Sequence, residues 1–281
     1  MSIRSRAALK FALGVVALLA LPLSAAIAHE WWLEPQRTSA PRGSEVAVVA
    51  KVGVAFVGER VVRDPKRIRR FVALDASGER TVEGAPGADP LGTLALRADG
   101  ATLLAYQSEP ARVYLRAYEF ETYLKEEGLE AIVAARAERG ESQKMGLEQY
   151  VRCAKALLRT PDAPLHDRVA GLPFELVARG DLAPLGAGGA LSIEVLWKGA
   201  PLPGVQVVAL ERDHPDAPQS GRSDAVGRVE LALPHGGFWM VKAVHMERLG
   251  AEHAATRLDW ESHWATLTFE VAPAAASRES R

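Results

Sequence analysis

Ala190-Leu-Ser-Ile-Glu-Val-Leu-Trp197, then Gly199-Ala-Pro-Leu-Pro-Gly204, then Val205-Gln-Val-Val-Ala-Leu210: an alternating apolar run, a turn, and a second apolar run. Alternation at a two-residue period is the mark of a half-buried strand. The unit then repeats. Ser223-Asp224-Ala-Val-Gly227 leads into Arg228-Val-Glu-Leu-Ala-Leu233, and Pro234-His235-Gly236-Gly237 into Phe238-Trp-Met-Val-Lys-Ala-Val-His245. A last apolar run covers Trp260 to Val271. Short strands bounded by turn residues at this spacing predict a β-sandwich over residues 171–272.

Working outward, residues 29–116 carry the same kind of signal. Glu45-Val-Ala-Val-Val-Ala-Lys-Val52 follows Pro41-Arg-Gly43, and Arg70-Phe-Val-Ala-Leu74, Gly100-Ala-Thr-Leu-Leu-Ala-Tyr106 and Arg112-Val-Tyr-Leu115 come later. A first β-sandwich is predicted there. Residues 117–160 differ: Phe120, Tyr123, Leu124, Leu129, Ile132 and Val133 recur at helical intervals among charges, with Gly128 and Gly140 as punctuation. Ser142 to Arg159 reads as a second helical stretch stopping before Pro161. The expected fold class is therefore mainly β, two Ig-like or prealbumin-like sandwiches joined by a helical insertion, with a disordered tail at 273–281. Ala190 to Val271 resembles the prealbumin-like or carboxypeptidase-regulatory-like sandwich, which implies a fold and no activity.

Residues 1–28 read as a cleaved signal peptide. Arg4, Arg6 and Lys10 precede an apolar run from Phe11 to Leu23, and Ala26 and Ala28 supply the small residues that signal peptidase requires. Cleavage after Ala28 predicts a periplasmic or secreted protein. The mature chain holds 31 basic and 35 acidic residues, a net charge of −4, which argues against nucleic acid as a partner. No second apolar stretch approaches the length of a spanning helix, so no stable membrane insertion is expected. Cys153 is the single cysteine, which excludes a disulfide within the chain and reads as a small buried residue.

Cleavage at that point makes His29 the first residue. A terminal α-amine and its own imidazole can chelate one metal ion, and a second histidine completes a three-nitrogen set suited to Cu(II) or Ni(II). The other reading is that His29 stands there by chance. Alternation places His245 on the face of Trp239, Val241 and Ala243. Counting back from Leu267, Phe269 and Val271 puts Ala265, His263, Glu261 and Asp259 on one face also. If these strands pair, His245 meets Glu261 or His263. The candidate metal ligands are therefore His29, His245, Glu261, Asp259 and His263. His235 and His253 read as exposed, His166 and His214 as surface, and Trp31, Trp32, Trp260 and Trp264 as packing rather than a sugar platform. No H-E-x-x-H, C-x-x-C or G-x-S-x-G occurs.

His29-Glu-Trp-Trp-Leu-Glu-Pro35, Tyr123-Leu-Lys-Glu-Glu-Gly128-Leu129, Glu148-x-Tyr150-x-Arg152, Trp239-x-Val-x-Ala-Val-His245 and Asp259-Trp-Glu-Ser262-x-Trp264 resemble motifs of an exported family, domain of unknown function 4198. The resemblance covers nearly the whole mature chain. It implies a periplasmic component related to nickel or cobalt uptake, with one bound transition-metal ion (Cu or Ni/Co) and an envelope metal transporter as partner. His29 and His245 fall on its motif positions. The expected role is metal capture or delivery without catalysis. The alternatives are a carbohydrate- or protein-binding pair of sandwiches without metal, and a copper oxidoreductase of histidine-brace type.

Overall fold

In the computed structural model, residues 29–272 are described, the side chain of Ala254 excepted; the expected signal and tail lie outside them. β1 (Glu30–Pro35) pairs antiparallel with β2 (Glu45–Val54), which turns back into β3 (Val57–Val61). β4 (Ile68–Asp75) and β5 (Gly78–Thr81) form a hairpin, and β6 (Gly92–Ala95) returns to β2. β7 (Ala101–Ser108) and β8 (Ala111–Leu115) precede the helices α1 (Ala117–Glu126) and α2 (Glu130–Glu138). The long β9 (Gly146–Arg159) is followed by β10 (Phe174–Arg179), β11 (Gly189–Trp197) and the short β12 (Ala200–Pro201). β13 (Gln206–Glu211), β14 (His214–Arg222), β15 (Arg228–Leu233), β16 (Gly237–Arg248) and β17 (Trp260–Val271) complete the chain.

The protein is mainly β. Strands from both halves of the sequence join in one nine-stranded sheet, ordered β14-β13-β16-β17-β9-β7-β4-β5 with β8 beside β9. One face of it packs on a four-stranded sheet of β10, β11, β12 and β15, burying Leu176, Ile193, Val195 and Leu231 against Val241, Leu267 and Leu157. The opposite face carries the N-terminal sheet of β1, β2, β3 and β6, where Leu33 and Val48 meet Leu104, Ala154 and Leu158. The helices cover the rest of that face: Phe120, Tyr123 and Leu124 pack on Val244, Met246, Trp260 and Trp264. The N-terminal and C-terminal sandwiches thus share their middle layer and are not bodies strung on a linker.

The expected helical insertion is corrected by this sheet. Helix ends at Glu138, and Gly128 and Gly140, at φ of 70° and 64°, terminate the two helices as the sequence suggests. Ser142–Arg159, expected to be helical, instead contains β9, the strand that joins the two halves. Its residues are buried on both faces: Val151, Cys153 and Leu157 toward one layer, Ala154, Ala156 and Leu158 toward the other. A strand covered on both sides loses its alternation and reads as a continuous apolar run. Alanine and leucine, good helix formers, then mimic a helix.

Candidate metal centre

β16 and β17 are antiparallel neighbours, and their register sets His245 directly opposite His263 and Glu247 directly opposite Glu261. Side chains so placed lie on one face of the sheet at contact distance. It is the face of Trp239, Val241, Ala243, Ala265 and Leu267, at its open end. Trp197, from β11 of the opposing layer, presents itself edge-on to both imidazoles, with ring centroids 4.6 Å from His245 and 4.7 Å from His263. Each Nε2 stands near a carboxylate: 3.6 Å from His245 to Glu247 and 3.7 Å from His263 to Glu261. Gln149 donates to Glu261, and Trp197 Nε1 to Glu247 at 3.1 Å.

The pair is held neutral. Burial pushes His263 down to about 4, and the nearby His245 and Lys198 add to that against the pull of Glu261 and Glu247. Burial lowers His245 as well, against the opposing pull of Glu247. His245 Nε2 and His263 Nδ1 are buried without a hydrogen-bond partner among the described residues. Desolvated, unprotonated imidazole nitrogens with no donor to accept from are the form in which histidine binds metal. Yet no three carboxylate, histidine or cysteine side chains among the described residues converge on a common point. A metal ion here would need rotation of Glu247 or Glu261 toward the histidines.

The other two expected ligands do not join them. Thr266 and Thr268, on the far side of β17, donate to the carbonyls of Trp31 and Leu33 at 2.9 and 2.7 Å. Glu30 pairs with Lys242, also on that side, at 2.9 Å. His29, next to Glu30, is therefore separated from His245 by the central sheet, and the expected chelate of the two is not assembled. Asp259 precedes β17 and exchanges backbone hydrogen bonds with Leu147 and Leu249. Its charge acts on Arg248, which reaches over Trp260 to Glu141. Elsewhere, Cys153 is buried with its thiol pushed up to about 12, chiefly by burial, as befits an inert packing residue. The four tryptophans near the chain ends are all buried.

The chain matches the family described as "Domain of unknown function (DUF4198)" over residues 26–247. It belongs to that family. The match takes in His29 and His245 and ends within β16, before His263. No curated protein matches. Among solved structures the chain is similar to the D0-D1 domain of Intimin, at 11% identity over 85% of this chain and 97% of that one, with a TM-score of 0.19; a superposition so loose aligns no site.

Sequence reasoning missed a second cluster in this DUF4198 chain, on the opposite face. Glu148 is 1% exposed, accepts from Ser262 and, at 3.3 Å, from the Tyr123 hydroxyl, and its burial pushes it up to about 7. Trp264 stacks on Tyr123 with centroids 5.5 Å apart and donates to Ser262 at 3.0 Å. The signal was available: Tyr123, Glu148, Arg152, Ser262 and Trp264 all lie in the quoted family motifs. Reading β9 as a helix hid their convergence.

Proposed function

We propose that the exported protein captures or delivers one transition-metal ion (Cu or Ni/Co) at the cell envelope, with His245 and His263 as its nitrogen ligands. The observation that carries this reading is their direct cross-strand pairing as desolvated, neutral imidazoles with unpaired ring nitrogens. Glu261 and Glu247 are the oxygen donors in reach, and Gln149 and Trp197 orient them. Burial lowers both imidazoles and pushes His263 down to about 4, so protons compete for His263 only as pH approaches that value. An envelope metal transporter is the natural recipient, and signal cleavage after Ala28 supplies the periplasmic or secreted location. Titration with Cu(II) and with Ni(II), followed by calorimetry and by quenching of Trp197, tests the site. His245→Ala and His263→Ala are each expected to weaken binding at least about tenfold, the loss of roughly 1.4 kcal/mol or more, whereas His29→Ala leaves it unchanged. Equal affinity in the wild type and the double variant would sink the assignment.

The separation of His29 from His245 favours a second reading, a carbohydrate- or protein-binding pair of sandwiches without metal. It expects no heat and no quenching with either ion.

A further inference from the structure

Glu148 is buried with one oxygen satisfied and the other bare. Ser262 and Tyr123 both donate to Oε1, while Oε2 has no partner among the described residues. The charges around it are few. Arg152 lies over the Tyr150 and Trp264 rings, 4.9 and 4.6 Å from their centroids, with its Nη1 also unpartnered. On the β16 side Lys242 holds Glu30 at 2.9 Å and Glu127 at 3.0 Å. Three carboxylates therefore face two cations, and one negative charge is left over whenever Glu148 is ionised. A single cation is what the region lacks.

The course of β1 brings one there. Trp31 sits over Thr266 and Leu33 over Thr268, so β1 runs parallel to β17, residue for residue. Carried back by one more pair, the same register sets His29 over Trp264, whose indole donates to Ser262, the hydroxyl bound to Glu148. We propose that the ammonium created by cleavage after Ala28 is the missing partner of Glu148. This rests on the cleavage reading and is independent of the metal reading. In the precursor the His29 nitrogen is an uncharged amide, which does nothing to offset the burial that pushes the Glu148 carboxyl up to about 7. In the mature chain the ammonium pairs with ionised Glu148 and pins the start of β1 to the helical face. An amine docked in this way has no lone pair to offer a metal ion.

The test compares a chain beginning at His29 with one retaining Ala28, each with Glu148 and with Glu148→Gln, in the presence of a chelator. Retaining Ala28 is expected to lower Tm by about 4 °C in the Glu148 chains and to leave the Gln chains unchanged; equal shifts in both backgrounds overturn the proposal. Should the Gln variant not fold, acylation of the α-amine at pH 7 decides between the two Glu148 chains. Docking raises the amine pKa by a unit or more, and the His29 amine should then react roughly tenfold more slowly; equal rates overturn the proposal. Intact mass of the exported protein reports the cleavage point separately. A terminus other than His29 removes the cleavage reading, whereas a His29 terminus that acylates freely removes the docking alone.

Discussion

A histidine buried in neutral form records its desolvation in the pH dependence of folding. His263 titrates near 6.5 unfolded and near 4 folded. Below 6.5 the unfolded chain binds the extra proton, so the stability conferred by the neutral ring is present above 6.5 and is lost as pH falls toward 4. In the chain that retains Ala28, Glu148 works in the opposite sense, because its folded value of about 7 lies above the unfolded one: its contribution is full in acid and is lost as pH rises through 7. The two are separated by variants. In metal-free protein, the fall in Tm between pH 6.5 and 4 should be shallower for His263→Gln than for the wild type, and superimposable profiles would refute the desolvated state. The face shared by His245, Glu261 and His263 was legible in the sequence, since alternation needs only the strand itself. The position of His29 was not. Which layer the first strand joins is set by Thr266 and Thr268, more than 230 residues away in the chain.

Among the elements, β9 separates pattern from context. Its Lys155 points into the core, 1% exposed, and its Nζ meets Asp167 and Glu175, the latter at 3.0 Å, together with the carbonyls of Arg168 and Leu176. The sequence offers no hint of this, because a lysine flanked by alanines reads as the solvated side of a helix. Lys155→Met leaves two buried carboxylates uncompensated and should cost about 3 kcal/mol or more, measurable by urea unfolding. The β2–β3 hairpin shows strain held by packing. Ala55 and Phe56 occupy left-handed conformations, at φ of 49° and 66°, in a turn that ordinarily takes glycine or asparagine. Phe56 is retained by Trp32 and Phe238, with centroids 5.7 and 5.8 Å away, and the Ala55 N–H donates to Glu30 at 3.2 Å. Ala55→Gly relieves the strain and keeps the backbone bond to Glu30, and should raise Tm by about 2 to 4 °C. Phe56→Gly relieves the same strain but forfeits the aromatic contacts, and should lower it.

For the molecule as a whole, the shared nine-stranded sheet decides how it unfolds. The sequence separates into two β regions with a helical signal between them, a pattern that on its face describes two independent bodies. Seven sheet neighbours in a row, from β13 through β4 and β5, draw on both regions, and neither core closes without the strands between them. Tryptophan fluorescence and far-ultraviolet circular dichroism should therefore trace one coincident unfolding transition. Two resolved transitions would mean that the halves are energetically separate. The place of β17 carries a different consequence, one of timing. It lies between β16, its antiparallel neighbour, and β9, its parallel one, so the last of the described strands to be synthesised is a middle strand of the sheet. A nascent chain lacking Trp260–Val271 has its centre open, and its longest-range pairings are also the slowest to form. Synthesis must run to Val271 before the sheet can close, so the chain stays open at its centre until almost all of it has been made.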